Sequence, residues 1–193
     1  ALLLHIEGGM PLEENIDYLR FFYDLGVRSI GLTWSKRNLI ADGVAVRSNS
    51  GLSDFGVKLV EEMNKLKMII DVSHLSERGF FDVLEFSRDP VVASHSNARS
   101  VCDHIRNLSD EQIKALAEKG GVMGICFYPD FISKEDPGLE KLLNHVDHVR
   151  DLVGVNHIGI GTDYIDYFGP WYLSPHVTYP KGIEDISKMH DFT

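Results

Sequence analysis

Short segments that are apolar throughout alternate along this chain with stretches whose apolar residues recur at helical spacing. Strands with no polar face need cover on both sides, so the pattern confines the chain to a parallel sheet sheathed by helices. Leu2–Ile6, Val27–Thr33, Met68–Val72, Val91–Ser94, Val122–Phe127 and Ile158–Gly161 read as the strands. After the first, Pro11 takes a first-turn position, Leu12, Ile16, Leu19 and Tyr23 follow at helical spacing, and Gly26 closes the helix. Leu52–Leu66 places Val57, Val60 and Met63 on one helical face, and Glu77–Ser87 is the next helix. Ser109 and Gln112 form a capping box that opens Asp110–Lys119, and Leu139–Leu152 is the last helix. A long loop rich in Asn, Gly and Asp, Ser35–Gly51, follows the second strand. No linker interrupts the pattern before an aromatic- and proline-rich tail near Tyr164, so residues 1–193 read as a single domain.

An open doubly wound sheet and a closed (β/α)8 barrel both fit this alternation. No glycine-rich dinucleotide loop follows any strand, which weakens the first. Glu7, His74, His95 and Asp163 each fall at or just beyond the C-terminal end of a different strand. A barrel builds its active site from several strand ends at that same side. The reading is an incomplete TIM-barrel-type α/β fold of about six parallel βα units, short of the about 250 residues typical of a barrel.

The 29 acidic residues outnumber the 19 basic ones, for a net charge of −10, and Lys36-Arg37 is the only adjacent basic pair. Such a chain repels phosphate backbones, which excludes nucleic acid as the expected partner. No apolar run approaches the roughly 20 residues that cross a bilayer as a helix. Cys102 and Cys126 form neither a disulfide framework nor a metal motif, which suits a reducing cytosol. The N-terminus lacks a secretory signal pattern and starts inside an apolar run without Met, so further upstream sequence is expected.

A glutamate and two histidines make a zinc-type donor set of one hard oxygen and two imidazole nitrogens. Asp163 follows the small residues of Gly-Ile-Gly-Thr, which let a substrate approach closely, and a carboxylate there can shuttle protons for a hydrolytic metal centre.

Several segments together resemble the membrane (renal-type) dipeptidases. They are His-Ile-Glu-Gly-Gly (5–9), Leu-Thr-Trp (32–34) with Ala-Asp-Gly (41–43), Asp-Val-Ser-His-Leu-Ser (71–76) and Ala-Ser-His-Ser-Asn-Ala-Arg (93–99). Arg-Asn (106–107), Asn-His-Val-Asp-His-Val (144–149), Gly-Ile-Gly-Thr-Asp (159–163) and Gly-Ile-Glu-Asp-Ile-Ser-Lys (182–188) continue the series in family order. The resemblance implies a dipeptidase on a (β/α)8 barrel that uses two zinc ions. Glu7 matches the carboxylate that bridges both metals, His74 and His95 the histidines of the second, and Asp163 the acid/base residue. Arg106 matches the arginine that grips the terminal carboxylate of the substrate, a task for a planar guanidinium. Tyr128 is a candidate for the pocket wall. Small dipeptides, a cytoplasmic bacterial-type enzyme and a homodimer complete the expectation.

Two departures qualify it. The family's His-x-Asp pair for the other zinc precedes the Glu strand, and this sequence begins at that strand. The family's substrate-side histidine after Leu-Thr is Trp34 here, whose indole N–H donates one hydrogen bond but cannot act as an imidazole. These 193 residues by themselves are therefore expected to show weak catalysis or none, and a six-stranded sheet to expose two edges prone to association. Two other readings stay open: a non-catalytic metal- or peptide-binding module, and another barrel hydrolase such as a deaminase or lactonase. His5 reads as lining the barrel interior. His145 and His148 read as hydrogen-bonded structural residues, His104 as a loop residue near Arg106, and His157 as lying at the stabilising end of its strand.

Overall fold

The computed structural model describes residues 2–165 and 177–188. Its six strands are β1 (Leu4–Glu7), β2 (Val27–Gly31), β3 (Ile69–Asp71), β4 (Val92–Ser96), β5 (Val122–Ile125) and β6 (Ile158–Ile160). They lie in one sheet in the order β1-β2-β3-β4-β5-β6, with β1–β2, β2–β3, β3–β4 and β5–β6 paired in parallel. A doubly wound sheet reverses its strand order at a switch point. Strictly sequential parallel strands are instead the order of a (β/α) barrel, here with six of the eight. Leu2, Leu3 and Leu4, at the β1 end of that order, are exposed, as is Ile160 at the other end.

The helices are α1 (Ile16–Asp24), α2 (Asp54–Leu66), α3 (Glu77–Phe86), α4 (Asp110–Glu118), α5 (Pro129–Ile132) and α6 (Leu139–Val153). Contacts group the chain into two compact units, Ala1–Ala93 with Lys114–Val122, and Ser94–Ile113 with the described residues from Met123 on. In the first, α2 buries Leu59, Val60 and Met63 completely. At about 1.5–3 kcal/mol for each such side chain, this burial outweighs the roughly 1 kcal/mol that a helical glycine costs. Gly56 is that glycine, and it is required: a Cβ there would lie 2.3 Å from the Ile40 carbonyl oxygen. Ser53 caps α2 by accepting from the Gly56 N–H at 3.0 Å, and Ser76 caps α3 by accepting from Gly79 at 3.2 Å.

In the second unit the capping box is present, with Gln112 N–H donating to Ser109 Oγ at 3.3 Å and Ser109 N–H to Gln112 Oε1 at 3.0 Å. Phe127, Ile132, Leu142 and Val149 are buried there, and His145 is fully buried too. His145 Nδ1 accepts the Ala98 N–H at 3.2 Å, and Nε2 lies 2.9 Å from the Ile132 carbonyl oxygen. This ring is neutral, with its proton on Nε2. It ties α6 to α5 and to the segment after β4.

Two local readings change. The helix expected from Pro11 starts only at Ile16. Met10–Leu12 is a single 3-10 turn, Glu13 follows at φ 47°, and Asn15 caps α1 by accepting from Asp17 N–H at 2.9 Å. A proline and spaced apolar residues fit either arrangement, and the left-handed Glu13 decides between them. The short helix α5, unmarked by apolar periodicity, follows Tyr128 with Pro129 in its first turn. The His5 side chain is half-buried against β2 and β3, with Nδ1 2.9 Å from Ser29 Oγ and Nε2 3.5 Å from Asp71 Oδ2. The tail expected from Tyr164 falls partly outside the described residues.

Burial lowers the pKa of His145 from the ordinary 6.5. As pH falls through that ordinary value, the unfolded chain takes up a proton that the folded chain refuses, so stability drops on acidification. Urea unfolding at pH 7 and pH 5 will show a larger loss for the parent than for His145→Gln, which keeps one donor and one acceptor without a titrating ring. Equal losses would remove His145 as a source of acid sensitivity.

Candidate metal centre

Glu7 is the last residue of β1 and stands in register with Gly31, which in turn is in register with Asp71 at the end of β3. The pairing continues beyond β1, since Gly8 N–H donates to the Gly31 carbonyl at 3.0 Å and Gly9 N–H to Leu32 at 3.1 Å. This fixes the backbone on both sides of the Glu7 carboxylate, which remains partly exposed. Asp71 is buried and accepts from the Ser73 N–H at 3.0 Å, starting the turn that leads to His74.

His74 has a left-handed backbone, with φ 68°. Such a conformation is uncommon for a non-glycine residue and persists only where neighbours over-determine it. Here the His74 carbonyl accepts the Val44 N–H at 2.7 Å. The ring Nδ1 lies 2.9 Å from Ser35 Oγ, Nε2 lies 3.0 Å from Glu7 Oε1, and one face stacks on Trp34 with centroids 5.5 Å apart and planes at 29°. The imidazole is thus held at both nitrogens and along a face.

Both Ser35 and Trp34 belong to the loop after β2, whose shape is set by Asp42. This buried carboxylate accepts from the Arg37 guanidinium, from Ser48 Oγ at 2.8 Å and from Ser50 N–H at 2.8 Å. Hydrogen bonding to Arg37 holds its pKa well below the usual carboxylate range, against the opposing effect of burial. Gly43 then passes close under the loop's first residues. A Cβ at Gly43 would lie 2.2 Å from the Trp34 carbonyl oxygen and 2.4 Å from the Ser35 carbonyl carbon.

His95 is buried near the end of β4, with Nδ1 2.8 Å from Ser94 Oγ. Its carbonyl accepts from Arg106 Nη2 at 3.2 Å, and the buried guanidinium lies 5.4 Å from the centre of the Phe131 ring. Asp163, three residues past β6, has φ 56°, and its carbonyl accepts from Tyr179 OH, which also accepts the Ile165 N–H at 3.2 Å. Its Oδ2 lies 3.8 Å from Cys126 Sγ. Burial, and then the Asp163 charge, push the Cys126 thiol far up, so it stays protonated and serves as a weak donor rather than a nucleophile. Tyr128 is half-buried beside Phe131, and burial, followed by Asp130 and Asp163, raises its phenol pKa.

The donor atoms of Glu7, His74 and His95 lie within 4.8 Å of one another. One carboxylate and two imidazoles so placed fit a transition metal of the zinc type. Arg106 lies beside His95, and Trp34 beside His74, while Asp163 and Tyr128 stand in the second unit with Cys126 and Phe131 as their neighbours. Sequence reasoning did not single out Ser35, Ser94, Tyr179 or the His5–Asp71 pair. Of these only Ser94, adjacent to His95, carried any signal in sequence.

The family described as membrane dipeptidase (Peptidase family M19) matches residues 1–193. An uncharacterized dipeptidase of Schizosaccharomyces pombe is 35% identical over 99% of this chain and 45% of its own length. A dipeptidase of Claviceps purpurea is 36% identical over 97% of this chain and 43% of its own. The chain therefore spans less than half the length of these two relatives. A metallo peptidase from Rhodobacter sphaeroides, solved with a phosphinate mimic of the dipeptide L-Ala-D-Ala, superposes with a TM-score of 0.86 at 34% identity, covering 98% of this chain and 54% of that one. Among the described residues, no helix is long and apolar enough to cross a membrane.

Gly43→Ala is expected to cost about 1–3 kcal/mol, the usual penalty for overpacking a fixed contact. It will also weaken metal uptake, because Trp34 and Ser35 must move with the loop. Denaturant unfolding without metal and a metal titration measure the two effects. A variant as stable and as avid as the parent would contradict the close packing under Trp34.

Proposed function

We propose, since the chain belongs to the membrane dipeptidase family, that it carries part of the active site of a metal-dependent dipeptidase. The observation that carries this reading is the convergence of Glu7, His74 and His95 donor atoms within 4.8 Å. These three residues would hold the metal. The metal, taken as zinc and as two ions in a complete site, supplies Lewis acidity and a water of lowered pKa.

The remaining steps fall to side chains of this chain. Asp163 takes the proton from the attacking water and returns it to the amine that leaves, a general acid–base role for a carboxylate held at a fixed backbone angle. Cys126, kept as a neutral thiol, can hydrogen-bond the Asp163 carboxylate without competing for its proton at neutral pH. Arg106 receives the terminal carboxylate of the substrate on its planar fork, from a position fixed by its bond to the His95 carbonyl. Trp34 offers a flat apolar wall and one indole N–H, and Tyr128 a second wall. Small dipeptides are the substrates, by analogy with the Rhodobacter sphaeroides enzyme solved with its dipeptide mimic. The same reading places the protein in the cytoplasm as a homodimer.

Elemental analysis of desalted protein, alongside dipeptide hydrolysis, tests the proposal. His74→Ala is expected to lose metal and activity together. Asp163→Asn is expected to retain metal while kcat falls by about 10²–10⁴-fold, the range for loss of a general acid–base group. Metal binding without any dipeptide turnover would favour the non-catalytic binding module. Full activity in Asp163→Asn would end the proton-transfer role.

A further inference from the structure

We infer that Ser35 and Ser94 are positioning residues that fix which nitrogen His74 and His95 present to the metal. The inference rests on the metal-site reading above and extends it to residues that touch no metal themselves.

Each histidine of the centre meets a serine hydroxyl at the same ring atom. Ser35 Oγ lies 2.9 Å from His74 Nδ1, and Ser94 Oγ lies 2.8 Å from His95 Nδ1. The two serines arrive by unrelated routes. Ser35 comes from the loop after β2, 39 residues from its histidine, while Ser94 immediately precedes His95 within β4. With Nδ1 engaged in this way, Nε2 is the ligating atom, and the Nε2 of His74 does face Glu7 Oε1 at 3.0 Å. A neutral imidazole bound through Nε2 carries its proton on Nδ1, and a serine oxygen accepts it. A hydroxyl also donates, so the same serine serves a ring that carries its proton on Nε2 before a metal binds. A carboxylate or backbone carbonyl at that place could only accept.

Both serines are held where backbone packing leaves no slack. The Ser35 carbonyl accepts the Ala45 N–H at 2.9 Å, and Gly43 fits against it only for want of a side chain. The Ser94 carbonyl oxygen is pressed by two glycines. A Cβ at Gly124 would lie 2.1 Å from it, and one at Gly161 would lie 1.9 Å from it. The glycine of Gly-Ile-Gly-Thr-Asp thus serves the strand that carries His95 as well as the approach to Asp163. Each unit contains its own serine–histidine pair and its own glycine contact.

The test compares threonine with valine at each position, side chains of nearly the same shape that differ in the hydroxyl. Cobalt(II) affinity is read from the visible absorption of the bound ion in competition with a chelator, and metal-free protein is melted in parallel. Ser35→Thr and Ser94→Thr are expected to bind close to the parent value. Ser35→Val and Ser94→Val are expected to bind about 10–100-fold more weakly than their threonine counterparts, the effect typical of losing a partner of a metal-binding histidine. Equal affinity within each threonine–valine pair would overturn the inference while leaving the metal site intact. A parent protein that takes up no cobalt or zinc would overturn the metal reading itself, and this inference with it.

Discussion

The loop between β2 and α2 owes its shape to one buried carboxylate. Among residues 35–51 the only buried apolar side chains are Ile40 and Ala41, and ordering each residue costs roughly 1–2 kcal/mol. Asp42 offsets this by collecting donors from Arg37, Ser48 and Ser50, while its own backbone bonds Gly51 and the N-cap residue Ser76. Hydrogen bonds to an ionised group are about twice as strong as neutral ones, and the Arg37 guanidinium keeps the carboxyl ionised. A single charge satisfied by several donors therefore adds to the small apolar anchor that Ile40 and Ala41 provide. Ser35, Trp34 and, through them, the left-handed His74 inherit their positions from it.

Close backbone approach is the second constraint, and it recurs at separate places. Gly43 lies against Trp34 and Ser35, Gly56 against Ile40, and Gly124 and Gly161 against Ser94. None of Gly43, Gly56, Gly124 and Gly161 is called for by a positive φ. They are needed because a neighbouring chain occupies the space of a Cβ. The candidate metal ligands themselves are ordinary in type; the demand for accuracy has been moved to residues with no side chain at all.

Strands and helices were legible in the sequence because periodicity reports burial, and burial is what selects them. Glu7, His74 and His95 were legible as candidates because a polar residue at the end of an apolar run stands out. The serines did not stand out. Ser35 is one of several small polar residues in a long loop, and nothing in its neighbourhood marks a partner 39 residues away. The start of α1 is hidden for a related reason, since the left-handed Glu13 and the Asn15 cap leave no trace in apolar spacing. Tyr179 holds the backbone around Asp163 through its hydroxyl, a contact that only the folded chain defines. Sequence thus disclosed which groups could do chemistry, while the means of orienting them depended on distances of a few tenths of an ångström.

The sequential strand order has a consequence for how such a chain is made. Each strand pairs with the one synthesised just before it, as Val27–Gly31 does with Leu4–Glu7 and Ile69–Asp71 with Val27–Gly31. Among the described strands, none has a later segment inserted between itself and its predecessor. A chain emerging from the ribosome can extend the sheet one unit at a time, each new strand finding its template already in place.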